Sequence, residues 1–165
     1  MRRTTRGFTL VEMMAVIAVI TILALMAIPS YLDKIVKAQI EAALPLADIA
    51  KRSVSTSWSG TQTMPANNTV AALPAADKIV NNYVSALTVQ DGVIHITFGN
   101  RASKSIADKI LSLRPAIVEE APVVPITWVC GEAEPPGKMT VMGKNLTNVD
   151  PMYLPMECRA LKPRS

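Results

Sequence analysis

The sequence predicts an α+β fold in which one long N-terminal α-helix packs on a four-stranded antiparallel sheet. Three features carry that expectation. A basic start, with Arg2, Arg3 and Arg6, precedes the apolar run Phe8 to Ile28, whose single ionisable member is Glu12. Helical spacing resumes beyond Pro29, from Tyr31 to Leu44. Further on, Val84 to Val89 and Val93 to Phe98 flank Gln90-Asp91-Gly92, the pattern of a β-hairpin.

At 165 residues the chain has the size of one domain. Its 17 Lys and Arg exceed its 13 Asp and Glu, but three of those 17 are the arginines of the first six residues. The remainder is nearly neutral, which excludes a domain that coats nucleic acid through one dominant positive field.

A helix from Phe8 to Ile28 spans roughly 31 Å, the apolar thickness of a bilayer. The arginines should hold the N-terminus in the cytoplasm while the residues from Pro29 onward cross. Ala27-Ile28-Pro29 is a poor site for secretory signal cleavage, so the apolar run should be retained. Glu12 is then an anomaly, because a carboxylate in lipid needs a partner, neutralisation or water. Hydration at the cytoplasmic surface is one solution. A cation from a neighbouring chain is the other, and removal of a leader ending at Gly7 would give Phe8 such an amine.

Gly7-Phe8-Thr9-Leu10-Val11-Glu12 resembles the N-terminal motif of the type IV prepilin family. The resemblance implies cleavage after Gly7 by a membrane prepilin peptidase, N-methylation of Phe8 by the same enzyme, and pairing of Glu12 with a Phe8 amino group during assembly. It also implies a pilin-like fold, in which a long curved helix is buried by its first half in a filament and by its second half against a sheet. The motif does not separate major pilins from minor pilins or from the pseudopilins of type II secretion.

Four segments follow: a leader over residues 1–7, a membrane-spanning and filament-core helix over 8–28, its amphipathic continuation over 29–58, and an external head over 59–165. Pro29 should bend the helix, and Pro45 is a candidate for a second bend. Ile35, Ile40, Leu44 and Ile49 suggest the apolar stripe of the continuation. Ser59 to Ala76 reads as a connection, with a short helical turn near Ala71 to Asp77.

In the hairpin, Ile94, Ile96 and Phe98 share one face, which leaves His95 on the other, facing solvent. Lys109 to Arg114 and Pro125 to Gly131 supply the remaining strands, whereas Pro115 and Pro122 make the stretch between them irregular or edge-like. Glu119 and Glu120 are adjacent and read as a solvated edge, not a catalytic pair. Trp128, in an apolar strand, reads as core.

The two cysteines, Cys130 and Cys158, lie on the oxidising side of the membrane and are free to form a disulfide; two buried thiols are the alternative. The resemblance strengthens the disulfide, since a disulfide-bounded C-terminal loop is common in that family. Lys138, Lys144, Arg159, Lys162 and Arg164 make the C-terminal region locally attractive to anionic surfaces or DNA. Asn67 and Asn145 fit the N-glycosylation pattern, which alone predicts no glycan.

His95 is the only histidine, and neither a phosphate-binding glycine loop nor a metal-ligand spacing occurs, so no enzyme activity, metal or cofactor is expected. The expected function is that of a structural subunit of a type IV pilus supporting adhesion and twitching motility. Its expected partners are other copies of the chain, the prepilin peptidase and methyltransferase, the inner-membrane assembly machinery, and host surfaces or DNA. Its expected location is the inner membrane before assembly and the extracellular fimbrium afterwards. The alternatives are a minor pilin, a pseudopilin, or a membrane-anchored DNA-binding module.

Overall fold

The computed structural model describes residues 7–121 and 123–160. Of the expected leader only Gly7 falls within them; Lys162 and Arg164 lie outside. The chain forms two units, one ending at Ile35 and one beginning at Val36.

Helix α1, Leu10–Ala43, continues through Pro29, and a 3-10 turn, Leu44–Ala47, joins it to α2, Asp48–Thr61. Pro45 accounts for the tightened turn. Having no N–H to donate back along the helix, it interrupts the regular ladder, and the Asp48 N–H bonds to its carbonyl instead. The helix ends at Gln62, whose left-handed φ of 54° lets its N–H reach the Trp58 carbonyl.

The buried stripe differs from the expected one. Val36, Ile40, Ala43, Ala47, Ala50 and Val54 face the core, while Ile35 and Ile49 are exposed. Of the expected set, Ile40 is buried in that stripe and Leu44 is half-buried against the same core. Reading the bulkiest residues misplaced the face by about one position, because the stripe that approaches the sheet is built largely from alanines.

Strands β1 (Val84–Gln90), β2 (Val93–Phe98), β3 (Ile110–Ile117) and β4 (Thr127–Cys130) form an antiparallel meander in chain order. The β1–β2 turn closes at the Gln90–Val93 pair, with Asp91 and Gly92 at φ 49° and 79°, the left-handed pair that a two-residue hairpin needs. Leu87, Val89, Ile94, Ile96, Phe98, Leu111 and Leu113 cover the helix stripe and form the core with it. Trp128 packs against that core.

Two expectations about β3 and its neighbours fail. First, the strand does not stop before Pro115 but runs on to Ile117. The Pro115 carbonyl accepts the Met142 N–H at 2.8 Å, on the edge away from β4. Its nitrogen faces the same edge, so the missing donor costs the β3–β4 ladder nothing. Along that edge a short fifth strand, β5 (Thr140–Val141), takes over from β2 and pairs with Ala116 and Ile117.

Second, His95 does not face solvent: it is 4% exposed. The sheet's outer face is covered by the chain between β5 and Val149, whose Leu146 N–H donates to Ser112 Oγ at 2.9 Å. Val93, His95, Ser112, Ala116 and Val129 are buried on that side and form a second, smaller layer. Glu119 and Glu120 are exposed.

Candidate functional site

Two regions carry the residues singled out by sequence. In the first, Phe8 is 80% exposed and Glu12 lies in the first turn of α1. One Glu12 carboxylate oxygen accepts both the Thr9 N–H and the Thr9 hydroxyl, each at 2.8 Å, and the Glu12 N–H reaches Thr9 Oγ1 at 3.3 Å. This is a reciprocal capping box, in which a Thr before the helix and a Glu three residues on satisfy the donors that a helix start leaves free. The Thr-x-x-Glu spacing was legible in the sequence, and Thr9 is the capping residue that the sequence reading overlooked. Glu12 therefore has a partner within its own chain.

Beyond this cap, Leu10, Val11, Met13, Met14, Ile17, Ile20, Leu23 and Met26 are all exposed, so the apolar surface finds no cover within its own unit. The Thr21 hydroxyl donates to the Ile17 carbonyl at 2.8 Å, which removes a polar burden from that surface. The helix is long and apolar enough to cross a membrane.

The second region is the C-terminal loop. Cys130, at the end of β4, is joined to Cys158 in a 3-10 turn, with an S–S distance of 2.02 Å. The Glu132 N–H donates to the Cys158 carbonyl at 3.0 Å. Gly131 between them has φ 55°, and a Cβ there would meet the Cys158 carbonyl at 2.7 Å, so only glycine fits. Asn145 Nδ2 donates to the Gly131 carbonyl and to Glu132 Oε1, each at 3.0 Å. Asn148 exchanges hydrogen bonds with both backbone groups of Ile110. The loop thus crosses the outer face of the sheet and is fastened to the start of β3 and to the turn after β4.

Of the cations expected to make this region sticky, Arg159 is occupied: it donates to the Leu154 and Met152 carbonyls at 2.8 and 3.2 Å. Lys138 and Lys144 are exposed. Among the described residues no group of three or more His, Cys, Asp and Glu is placed to hold a metal.

An apolar helix surface uncovered within its own unit, and a small α+β head whose sheet is packed on a helix and bordered by a disulfide loop, define a chain that carries a membrane-length helix together with a compact head. Comparison with known proteins makes this specific. Residues 36–159 match the family model for pilin, a bacterial filament protein, and residues 2–28 match the prokaryotic N-terminal methylation motif. The chain is 35% identical to the type IV major pilin protein PilE1 of Neisseria gonorrhoeae, over 93% of this chain and 87% of that one. It is 32% identical to the fimbrial protein EcpC of Eikenella corrodens, over 96% of this chain and 94% of its relative. With a fimbrial protein of Neisseria meningitidis serogroup B it shares 29%, over 93% and 94%. The chain belongs to the pilin family. It is a structural pilus subunit and not an enzyme.

Proposed function

We propose that this chain is the major, repeating subunit of a type IV pilus that serves surface adhesion and twitching motility. It is made as an inner-membrane precursor and moves into an extracellular fimbrium. The leader over residues 1–7 is removed between Gly7 and Phe8, and the new Phe8 amino group is methylated by the prepilin peptidase. Residues 8–28 hold the precursor in the membrane and then form the filament core, with Pro29 bending the helix where residues 29–58 continue toward the head over residues 59–165. Inner-membrane assembly machinery and further copies of the chain are its partners.

The observation that carries this reading is the coincidence of the methylation motif, residues 2–28, with an apolar helix surface that stays exposed. Burying such a surface against its like yields about 25 cal/mol per Å² of apolar area. Glu12 sets the register: its carboxylate exchanges the Thr9 cap for the Phe8 ammonium of a neighbour, a charge-assisted bond roughly twice as strong as a neutral one.

Intact-mass measurement on filaments sheared from cells, with fragmentation of the N-terminal peptide, tests the reading. N-methylated Phe8 as first residue of the dominant filament species is expected. An intact Met1, with the chain confined to membranes, would overturn it. Substituting Gly7 by a bulky residue should leave the leader attached.

A further inference from the structure

We propose that His95 is a proton-operated latch on residues 142–148: in mild acid this segment lifts from the outer face of the sheet and uncovers the small apolar layer beneath it, while the helix–sheet core stays folded. The latch belongs to the head alone and does not depend on filament assembly.

The segment is bound to the sheet by polar contacts more than by buried carbon. Its Met142 N–H donates to the Pro115 carbonyl at 2.8 Å, Asn145 Nδ2 donates to the Gly131 carbonyl at 3.0 Å, and Thr147 Oγ1 accepts the Ser112 N–H at 3.0 Å. Gly143, Lys144 and Asn148 are exposed, and Met142, Asn145, Leu146 and Thr147 are half-buried. A stretch held mainly by hydrogen bonds close to solvent is the first to open. Its flanks are fixed by other means. Thr140 and Val141 pair with β3, Val149 and Leu154 are buried in the core, and Cys158 is bonded to Cys130, which confines the release to residues 142–148.

The catch is Ser112 Oγ, which has one proton to give. With His95 neutral, that proton goes to Nδ1 at 2.9 Å while the Leu146 N–H donates to the same oxygen at 2.9 Å. A proton on Nδ1 turns the ring into a donor there. Ser112 Oγ must then accept from both neighbours, and its own hydroxyl proton loses its acceptor in a site with no exposed surface. Nor does the imidazolium find a counter-charge. Thr88 opposite it on β1, and Val93 and Thr97 on β2, are neutral; the charged groups on this side are Arg114 on β3, Glu132 after β4, Lys144 on the segment and Asp91 in the β1–β2 turn. Arg114 Nε already lacks an acceptor, and Glu132 is engaged by Asn145. The ion pairs among the described residues, Lys51–Asp48 and Lys78–Asp77, include none of these groups. Burial alone therefore holds the ring below its ordinary pKa of 6.5. Release of the segment returns it to water and to that value, so the open form binds the extra proton. The closed form is fully favoured above about pH 6.5 and loses ground as pH falls below it.

Hydrogen exchange on the extracted full chain, each amide corrected for its intrinsic rate at the same pH, tests the latch. Between pH 7.5 and 5, opening read at the Met142, Leu146 and Asn148 amides should rise by about threefold or more, with a ceiling of about 30-fold because pH 5 lies about 1.5 below the ordinary imidazole pKa. Amides of the β1–β2 ladder should stay within about twofold. His95→Gln has no proton to take up in this range and should hold the segment within about twofold as well. If that variant does not fold, NMR titration of the unmodified chain replaces it, since His95 is the only histidine. Loss of protection must then level off at the pH where that imidazole titrates in the closed form, and levelling elsewhere overturns the latch. Equal quickening of segment and hairpin, which is loosening of the whole head, also overturns it. So does an acid response that survives in His95→Gln.

Discussion

His95 Nδ1 lies 2.9 Å from Ser112 Oγ, and the same hydroxyl accepts the Leu146 N–H at 2.9 Å, so one buried serine joins β2, β3 and the C-terminal loop. The outer layer of the head depends on that junction. With the imidazole neutral and its proton on Nε2, Ser112 donates to Nδ1 and accepts from Leu146, which satisfies the hydroxyl, Nδ1 and the Leu146 N–H.

Burial holds the His95 imidazole below its ordinary pKa of 6.5. A base depressed in the folded state leaves the unfolded chain with more bound protons, so its contribution to stability is complete above about pH 6.5 and is lost as pH falls below it. The melting temperature of the extracted chain should therefore drop between pH 7 and 5. His95→Gln should flatten that dependence, measured by circular dichroism at a series of pH values. An equally steep drop in the variant would remove His95 from the explanation.

The helix approaches the sheet through Ala43, Ala47 and Ala50, each without exposed surface. Ala47→Leu inserts three carbons where none fit and should cost about 1–3 kcal/mol. Denaturant unfolding of the extracted chain checks this. At exposed Ile49, a substitution to the same residue, Ile49→Leu, should be neutral within about 0.5 kcal/mol.

At Gly131 a side chain meets two obstacles, a left-handed φ of 55° and the Cys158 carbonyl. Gly131→Ala should destabilise the head by more than about 1 kcal/mol. Hydrogen exchange should quicken at the Glu132 amide first, because its bond to Cys158 crosses the same junction.

Cys130→Ser opens the covalent loop that runs to Cys158. In the chain-entropy account a loop of that length contributes about 3.6 kcal/mol. The expected result is faster exchange at Leu146 and Thr147, with the β1–β2 hairpin protected as before, since the loop's hydrogen bonds run to β3 and to the turn after β4 and not to the hairpin. Equal protection at Leu146 in the variant would show that hydrogen bonds alone hold the loop.

Thr9→Ala removes the cap on Glu12 and should cost about 0.5–2 kcal/mol of helix-start stability, seen as exchange at the first amides of α1. Thr9→Ser should preserve it. Glu12→Gln should leave membrane insertion intact and slow incorporation into filaments, read from filament yield; a normal yield would rule out Glu12 as the register-setting charge.

What could be read from residue order alone was local. The apolar run Phe8–Ile28, the Asp91-Gly92 turn and the alternation of Ile94, Ile96 and Phe98 each encode structure through neighbours two to four positions apart, and each is legible without a fold. The Gly7 to Glu12 motif is similarly contiguous. Tertiary structure decided what depends on remote chain. Which helix face is inside follows from how closely the sheet approaches, and alanines allow a nearer approach than the isoleucines that caught the eye. His95 alternates to the outer face of β2 as its position demands, yet it is buried because a loop about fifty residues later crosses above it. Pro115 sits within a strand because the partner on its donor-free side changes from β2 to β5. In all three, the controlling group is distant in sequence, and periodicity carries no information about what will come to cover a face.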